Sequence, residues 1–259
     1  MSFAVRVVII LLKAIAAIWA AFLWPPLPQD PAYHDFADQT TIFGIPNFFD
    51  VASNLPFLFV GIAGMAVVRH RWHDRDFCAD LPEKVVFLTY VLGVALVFAG
   101  SGYYHWHPDN ETLVWDRLPM TVAFMSLFSA VIADRISLRA GRWMFPALVA
   151  AGISSVLYWQ WTESMGQGDL RPYALVQFLP MLLCIGIFAL FKSRYSHARY
   201  FWQVAGWYVL AKALEHFDAD IYAVTGEMLS GHSIKHVAAA LAAYAVVRWM
   251  RDRRPVSAS

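Results

Sequence analysis

Eight apolar runs, each close to the length that crosses a bilayer, constrain this chain more than any other feature. A hydrocarbon core of about 30 Å takes about 20 residues of helix. Runs of that order lie at about 3 to 24, 48 to 68, 85 to 105, 117 to 134, 142 to 161, 172 to 191, 200 to 217 and 231 to 250. Lipid offers no partner to backbone N–H and C=O groups, so such runs must close their hydrogen bonds internally, as helices. The expectation is therefore an all-α membrane protein with eight transmembrane helices in its 259 residues. Composition agrees: 59% of the chain is hydrophobic and 15% charged, against about 25% charged in soluble domains. The first run, with Arg6 ahead of an apolar stretch, resembles a signal peptide. It is too long for one and ends in Trp24-Pro25-Pro26 without a small-residue cleavage site, so it reads as a retained helix.

The loops divide by charge. Segments 69 to 84, 134 to 143, 192 to 199 and 248 to 259 together carry fourteen Lys and Arg residues, whereas 25 to 47, 105 to 117, 161 to 172 and 215 to 231 hold only Arg117 and Arg171. Positive loops stay cytoplasmic, which predicts both termini on that side. The opposite face is acidic, with Asp30, Asp35, Asp38, Asp109, Glu111, Asp116, Glu163, Asp169, Glu215, Asp218, Asp220 and Glu227. Twenty basic and nineteen acidic residues leave a net charge of +1, so no general basic field invites nucleic acid. The two cysteines, Cys78 and Cys184, make neither a disulfide framework nor a thiolate cluster. No repeat is evident.

Side chains able to carry chemistry are costly at membrane depth and are functional hypotheses by default. Here they gather at one depth, on the acidic side. Ser101 and His105 stand four apart near the end of the third run, Asp116 opens the fourth, and His232 and His236 stand four apart at the start of the last. Residues four apart share a helix face. Three imidazoles from two helices are what a catalytic zinc requires, with a fourth position left for water. Asp116 would take a proton from that water or orient a ligand, and Ser101 would donate to a developing oxyanion. The competing reading of each histidine is interhelical hydrogen bonding, but independent bonding residues have no reason to share one depth.

The ordered set Ser101-x3-His105, Asp116 and His232-x3-His236, with Asn47-Phe48-Phe49-Asp50-Val51-Ala52-Ser53-Asn54 and Asp116-Arg117-Leu118-Pro119-Met120, resembles the CREST superfamily of membrane hydrolases. The closer likeness is to its alkaline ceramidases, in particular bacterial ceramidase-like members, over about residues 35 to 250. The resemblance implies a seven-helix core plus one extra N-terminal helix. The chain then divides into 1–34, the first helix and the start of an external loop; 35–250, the ceramidase-like domain; and 251–259, a basic cytoplasmic tail. It also implies Zn2+ on His105, His232 and His236, Ser101 and Asp116 around the attacking water, and cleavage of a ceramide-like membrane lipid to a fatty acid and a sphingoid base. The site then faces the non-cytoplasmic side, periplasmic in a bacterium, and no protein partner is implied.

Some residues depart from that pattern. Lys235 stands where eukaryotic ceramidases are expected to have an aromatic residue. A buried lysine needs a counter-charge: an ion pair with Glu215 or Asp218 is the preferred reading, contact with a polar or anionic lipid headgroup the other. The headgroup reading keeps open another lipid amide or ester as substrate. Alkaline ceramidases also bind Ca2+ before their first core helix, and Asp35, Asp38 and Asn47 match that segment with a gap and with Asn47 in an acidic position; a solvated acidic loop is the competing reading. His216 beside Glu215 reads either as a network around the zinc or as an interhelical bond. Ser53 and Asn54 are expected to bond across helices; His34, His70, His73, His107 and His197 are expected in solvated positions. Arg248, Arg251, Arg253 and Arg254 form a basic tail drawn to anionic lipid. A lipid-sensing receptor of the progestin and adiponectin branch, with structural zinc, would need a larger cytoplasmic coupling surface than these short loops. A proton-relaying transporter would be expected to show inverted repeats.

Overall fold

The polar breaks between the runs supply the side chains that start the next helices. In the computed structural model, which describes residues 1–256, the helices are α1 (Phe3–Leu23), α2 (Phe48–Ala52), α3 (Leu55–His70), α4 (Leu81–Trp106), α5 (Asn110–Arg135), α6 (Leu138–Ser164), α7 (Arg171–Leu190), α8 (Tyr200–His216), α9 (Asp218–Val224) and α10 (Gly231–Asp252). Asp80 caps α4, Asp109 closes a capping box with Thr112 on α5, and Ser137 caps α6. Each satisfies an orphan amide of the first turn. That is why α4, α5 and α6 begin several residues before their apolar runs. Among the described residues there is no β-strand, only two isolated bridges.

Among the described residues six helical segments are long and apolar enough to cross a membrane: α1, α2 with α3 taken together as Phe48–His70, α4, α5, α6 and α7. The chain is therefore an all-helical protein with the make-up of a multi-pass membrane protein. Two of the eight expected spans differ in kind. Helix α8 has 17 residues, and α10 carries His232, Lys235 and His236 in its first two turns. The outer surface is apolar, with Leu96, Leu182, Ile185, Trp202 and Val209 all exposed, as lipid-facing helices require.

Sequential helices pair as hairpins, α4 with α5 and α5 with α6, while α10 crosses back to lie against α8 and α3. Helix α1 is peripheral. It packs on α7, and its Arg6 Nη1 donates to the Leu190 carbonyl over 2.9 Å. Two glycines bring the site's helices together. A Cβ on Gly100 would collide with the Trp115 carbonyl, and one on Gly231 with the Leu214 carbonyl and the Asp218 backbone. The first contact sets Ser101 of α4 beside Asp116 of α5; the second seats the start of α10 against α8 and α9 just before His232.

Residues 25 to 47 form a strap over this end of the bundle, with a single 3-10 turn at Pro31–His34. Leu170 N donates to the Leu27 carbonyl, Gln29 N to Glu163 Oε1, and Ala37 N to Asp218 Oδ2. The expected basic tail is corrected in part. Arg251 belongs to the last turn of α10 and Arg253 is buried, not lipid-facing. The tail's residues 257 to 259 lie outside the described residues.

Candidate metal centre

Helix α4 delivers His105 in its last turn and α10 delivers His232 and His236 in its first two. All three are buried. Their ligand-capable nitrogens lie within 4.8 Å of one another. The ring centroids form a nearly equilateral triangle, 4.7 Å between His105 and His232 and 4.9 Å for each of the other two pairs. Nε2 of His105 and Nε2 of His232 face each other at 3.3 Å. Nitrogens 2.0–2.1 Å from a tetrahedral zinc stand about 3.3–3.4 Å apart, so this one pair matches an edge of such a site, while the three ligand atoms as a set lie within 4.8 Å.

The tautomer of His236 follows from its neighbour. Ser53 Oγ has one proton, directed at the Asp50 carbonyl 3.1 Å away, and it also lies 2.8 Å from His236 Nδ1. With its proton on the Asp50 carbonyl, the hydroxyl accepts from Nδ1–H, and in that tautomer Nε2 keeps a lone pair for a metal. His105 Nδ1 is buried with no hydrogen-bond partner, while its backbone carbonyl accepts from Asn47 Nδ2 over 2.9 Å. His232 is fixed through its backbone, whose N–H donates to Asp218 Oδ1 over 2.7 Å. Phe36 of the strap covers the rings, its centroid 4.6 Å from His105 and 4.4 Å from His232. Three buried imidazoles, one with Nδ1 beside a serine hydroxyl and one with an orphaned nitrogen, form a donor set that fits zinc or another borderline divalent ion.

Ser101 is buried and adjoins the half-buried Asp116 carboxylate, whose nearest charges are Lys235, Arg117 and Glu215. The structure thus brings Ser101, Asp116 and the three histidines to one end of the bundle. Lys235 Nζ donates to Glu215 Oε1 over 2.6 Å, and Glu215 also pairs with Lys212. The counter-charge of Lys235 is therefore Glu215, whereas Asp218 accepts backbone N–H groups from Ala37 and His232.

Other expected residues are placed elsewhere. His216 is exposed, edge-on to the Phe217 ring, and does not join the cluster. Of the trio considered for calcium, Asp35 is exposed. Asp38 is fully buried, but Oδ1 accepts from Thr40 N and Oδ2 from Phe49 N and Asp50 N. Asn47 directs its amide to His105. Asp38 thus caps the start of α2. His34 is not solvated: its ring nitrogens lie 2.9 Å from Tyr104 Oη and 3.0 Å from Asn110 Oδ1. Ser53 bonds across helices as expected, but Asn54 Nδ2 donates locally to the Asp50 carbonyl.

Two participants were not read from the sequence. Phe36 could not be, because only the folded strap sets it over the rings. Asp50 carried a signal, as a carboxylate inside an apolar run. No protein-family model matches this chain, and no curated protein matches it.

Proposed function

We propose that this protein is a zinc-dependent intramembrane hydrolase of lipid amides, ceramidase-like, releasing a fatty acid and a sphingoid base. The observation that carries the reading is the 3.3 Å approach of two Nε2 atoms from separate helices, beside Ser101 and Asp116. The likeness to alkaline ceramidases in the ordered set Ser101, His105, Asp116, His232 and His236 supplies the substrate class. In this reading α8 and α10 also cross the bilayer, giving a seven-helix core with α1 outside it. The charge division of the loops puts both termini in the cytoplasm and the site toward the other face.

His105, His232 and His236 would hold the ion. Bound there, zinc supplies Lewis acidity toward the scissile carbonyl and toward water. The chain's own residues do the rest. Asp116 accepts the proton of the attacking water, as a positioned general base does. Ser101, next to that carboxylate, turns its one hydroxyl proton to the carbonyl oxygen as it gains charge. Phe36 and the strap exclude bulk water from the imidazoles, and the apolar outer surface admits acyl chains from the side.

The test joins metal analysis of the purified protein to mass spectrometry of products from a panel of ceramides, other N-acyl lipids and esters. One zinc per chain and amide cleavage are expected. His232→Ala and His236→Ala should abolish both, whereas Asp116→Asn should keep zinc and slow turnover by about 10²–10⁴-fold. Undiminished hydrolysis by a zinc-free double variant would refute the proposal. Ester products alone would move the substrate class.

A further inference from the structure

Beside the histidine cluster lies a buried carboxylate that the proposed chemistry leaves unused. Asp50 is 0% exposed. Its Oδ1 accepts from Ser230 Oγ over 3.0 Å and Ser233 Oγ over 2.5 Å, at the first turn of α10. Its Oδ2 has no partner. One turn on, Asn54 is also 0% exposed, and its Oδ1 is a second buried acceptor without a partner. The charges that act on Asp50 are the carboxylates of Asp38 and Asp218. Among the described residues no lysine, arginine or histidine forms an ion pair with it.

An ionised carboxylate in such surroundings is strongly unfavourable unless compensated. The amino end of α10 contributes about half a positive charge, but the groups bonded to Oδ1 are the hydroxyls of Ser230 and Ser233, not backbone N–H groups, and Ser233 N donates to Ser230 Oγ. Nothing serves Oδ2 or the Asn54 carbonyl. Two acceptors lacking donors, together with two hydroxyls that have lone pairs to offer, form an all-oxygen set with a single formal negative charge. Hard cations choose oxygen ligands, and divalent ions held by protein usually draw on more than one carboxylate.

We infer that Asp50 and Asn54, with the hydroxyls of Ser230 and Ser233, form a second cation site, separate from the histidine cluster, that takes a small monovalent ion such as sodium. The site joins the α2–α3 junction to the start of α10. Ser53, which lies between its two main ligands in sequence, holds His236 Nδ1. An ion bound there tightens the elements on which His232 and His236 ride, without touching either ring.

The experiment measures the unfolding midpoint of full-length, zinc-replete protein in detergent, in about 0.15 M sodium chloride and in choline chloride of equal ionic strength. Sodium should raise the midpoint saturably by at least about 3 °C, since a ligand of the native state stabilises by mass action. Asp50→Asn should remove the shift and, having lost a buried charge, unfold no lower than wild type in choline. If that variant fails to fold, Asn54→Ala keeps the charge and should raise the sodium concentration for half the shift by about tenfold. A wild-type midpoint indifferent to sodium would overturn the inference and assign Asp50 a proton instead; so would an undiminished shift in the folded Asp50→Asn protein. Both hold whether or not the protein cleaves lipid.

Discussion

The two ends of the helix bundle bury charge differently, although the end with the histidines also holds two ion pairs, Lys235 with Glu215 and Arg171 with the buried Asp169. At the end where α4 begins and α10 finishes, each deeply buried charge has an opposite charge in contact. Arg253, 1% exposed, meets Glu83 at 2.8 Å and lies 4.0–5.1 Å from the ring centres of Tyr195, Phe87, Trp249 and Phe77. Arg135 meets Asp134 at 3.0 Å, and Ser193 donates to the same carboxylate. At the end where α4 finishes and α10 begins, the same two helices bring three imidazoles together with no acid between them. There Asp50 has no cation, and Arg117, ringed by Trp159, Tyr173 and Tyr33, has Gln29 in place of a carboxylate. Compensation within the chain makes a lock. Its absence leaves groups that call for a partner from outside.

The comparison breaks most sharply at Arg253. Arg253→Ala leaves Glu83 buried without its counter-charge, holding only hydrogen bonds from Tyr195 Oη and Ala79 N, and losing one member of a buried pair is destabilising by about 3–5 kcal/mol. Thermal unfolding of the variant should therefore shift far more than that of a metal-free histidine variant, and equal shifts would erase the distinction between lock and site. A smaller effect sharpens the other end. Ser53→Ala removes the acceptor of His236 Nδ1–H and should weaken zinc binding by about 10–100-fold with little change in the fold. Competition with a chelating dye measures this, and an unchanged affinity would show that Ser53 does not set the tautomer.

The smallest effect belongs to Asp74, in the loop after α3. The hydrogen bond from the Arg71 guanidinium holds its carboxyl below the usual range. A depressed pKa stabilises the fold at pH values above the unfolded value of about 3.9, and that stabilisation disappears as pH falls through the lower folded value. Because Asp74 is about one-third exposed, solvent screens the pair, and Asp74→Asn should lower stability at neutral pH by only about 0.5 kcal/mol. Urea titrations at pH 7 and pH 3 should show a larger difference at the higher pH.

The histidines were legible because helical spacing puts residues four apart on one face, and because polar residues at membrane depth stand out against apolar neighbours. Asp116 and Ser101 were legible for the same reason. Arg253 was not. A cluster of arginines at the end of an apolar run looks the same whether it meets lipid headgroups or folds back under aromatic rings. Asp38 was misleading in the same way, since an acidic loop residue that caps a helix is indistinguishable in sequence from one that awaits a cation.

By itself the sequence determined the helical class, the order of the long apolar runs and the side chains near their ends, because those follow from hydropathy and local periodicity; the break between α2 and α3 and the short α9 came only with the structure. Only the tertiary structure decided which charges found partners, that Phe36 covers the imidazoles, and that Asp50 lies unpaired against α10. These are contacts between residues distant along the chain. Their distances depend on how closely the helices approach, which glycines such as Gly100 and Gly231 permit but no local pattern specifies.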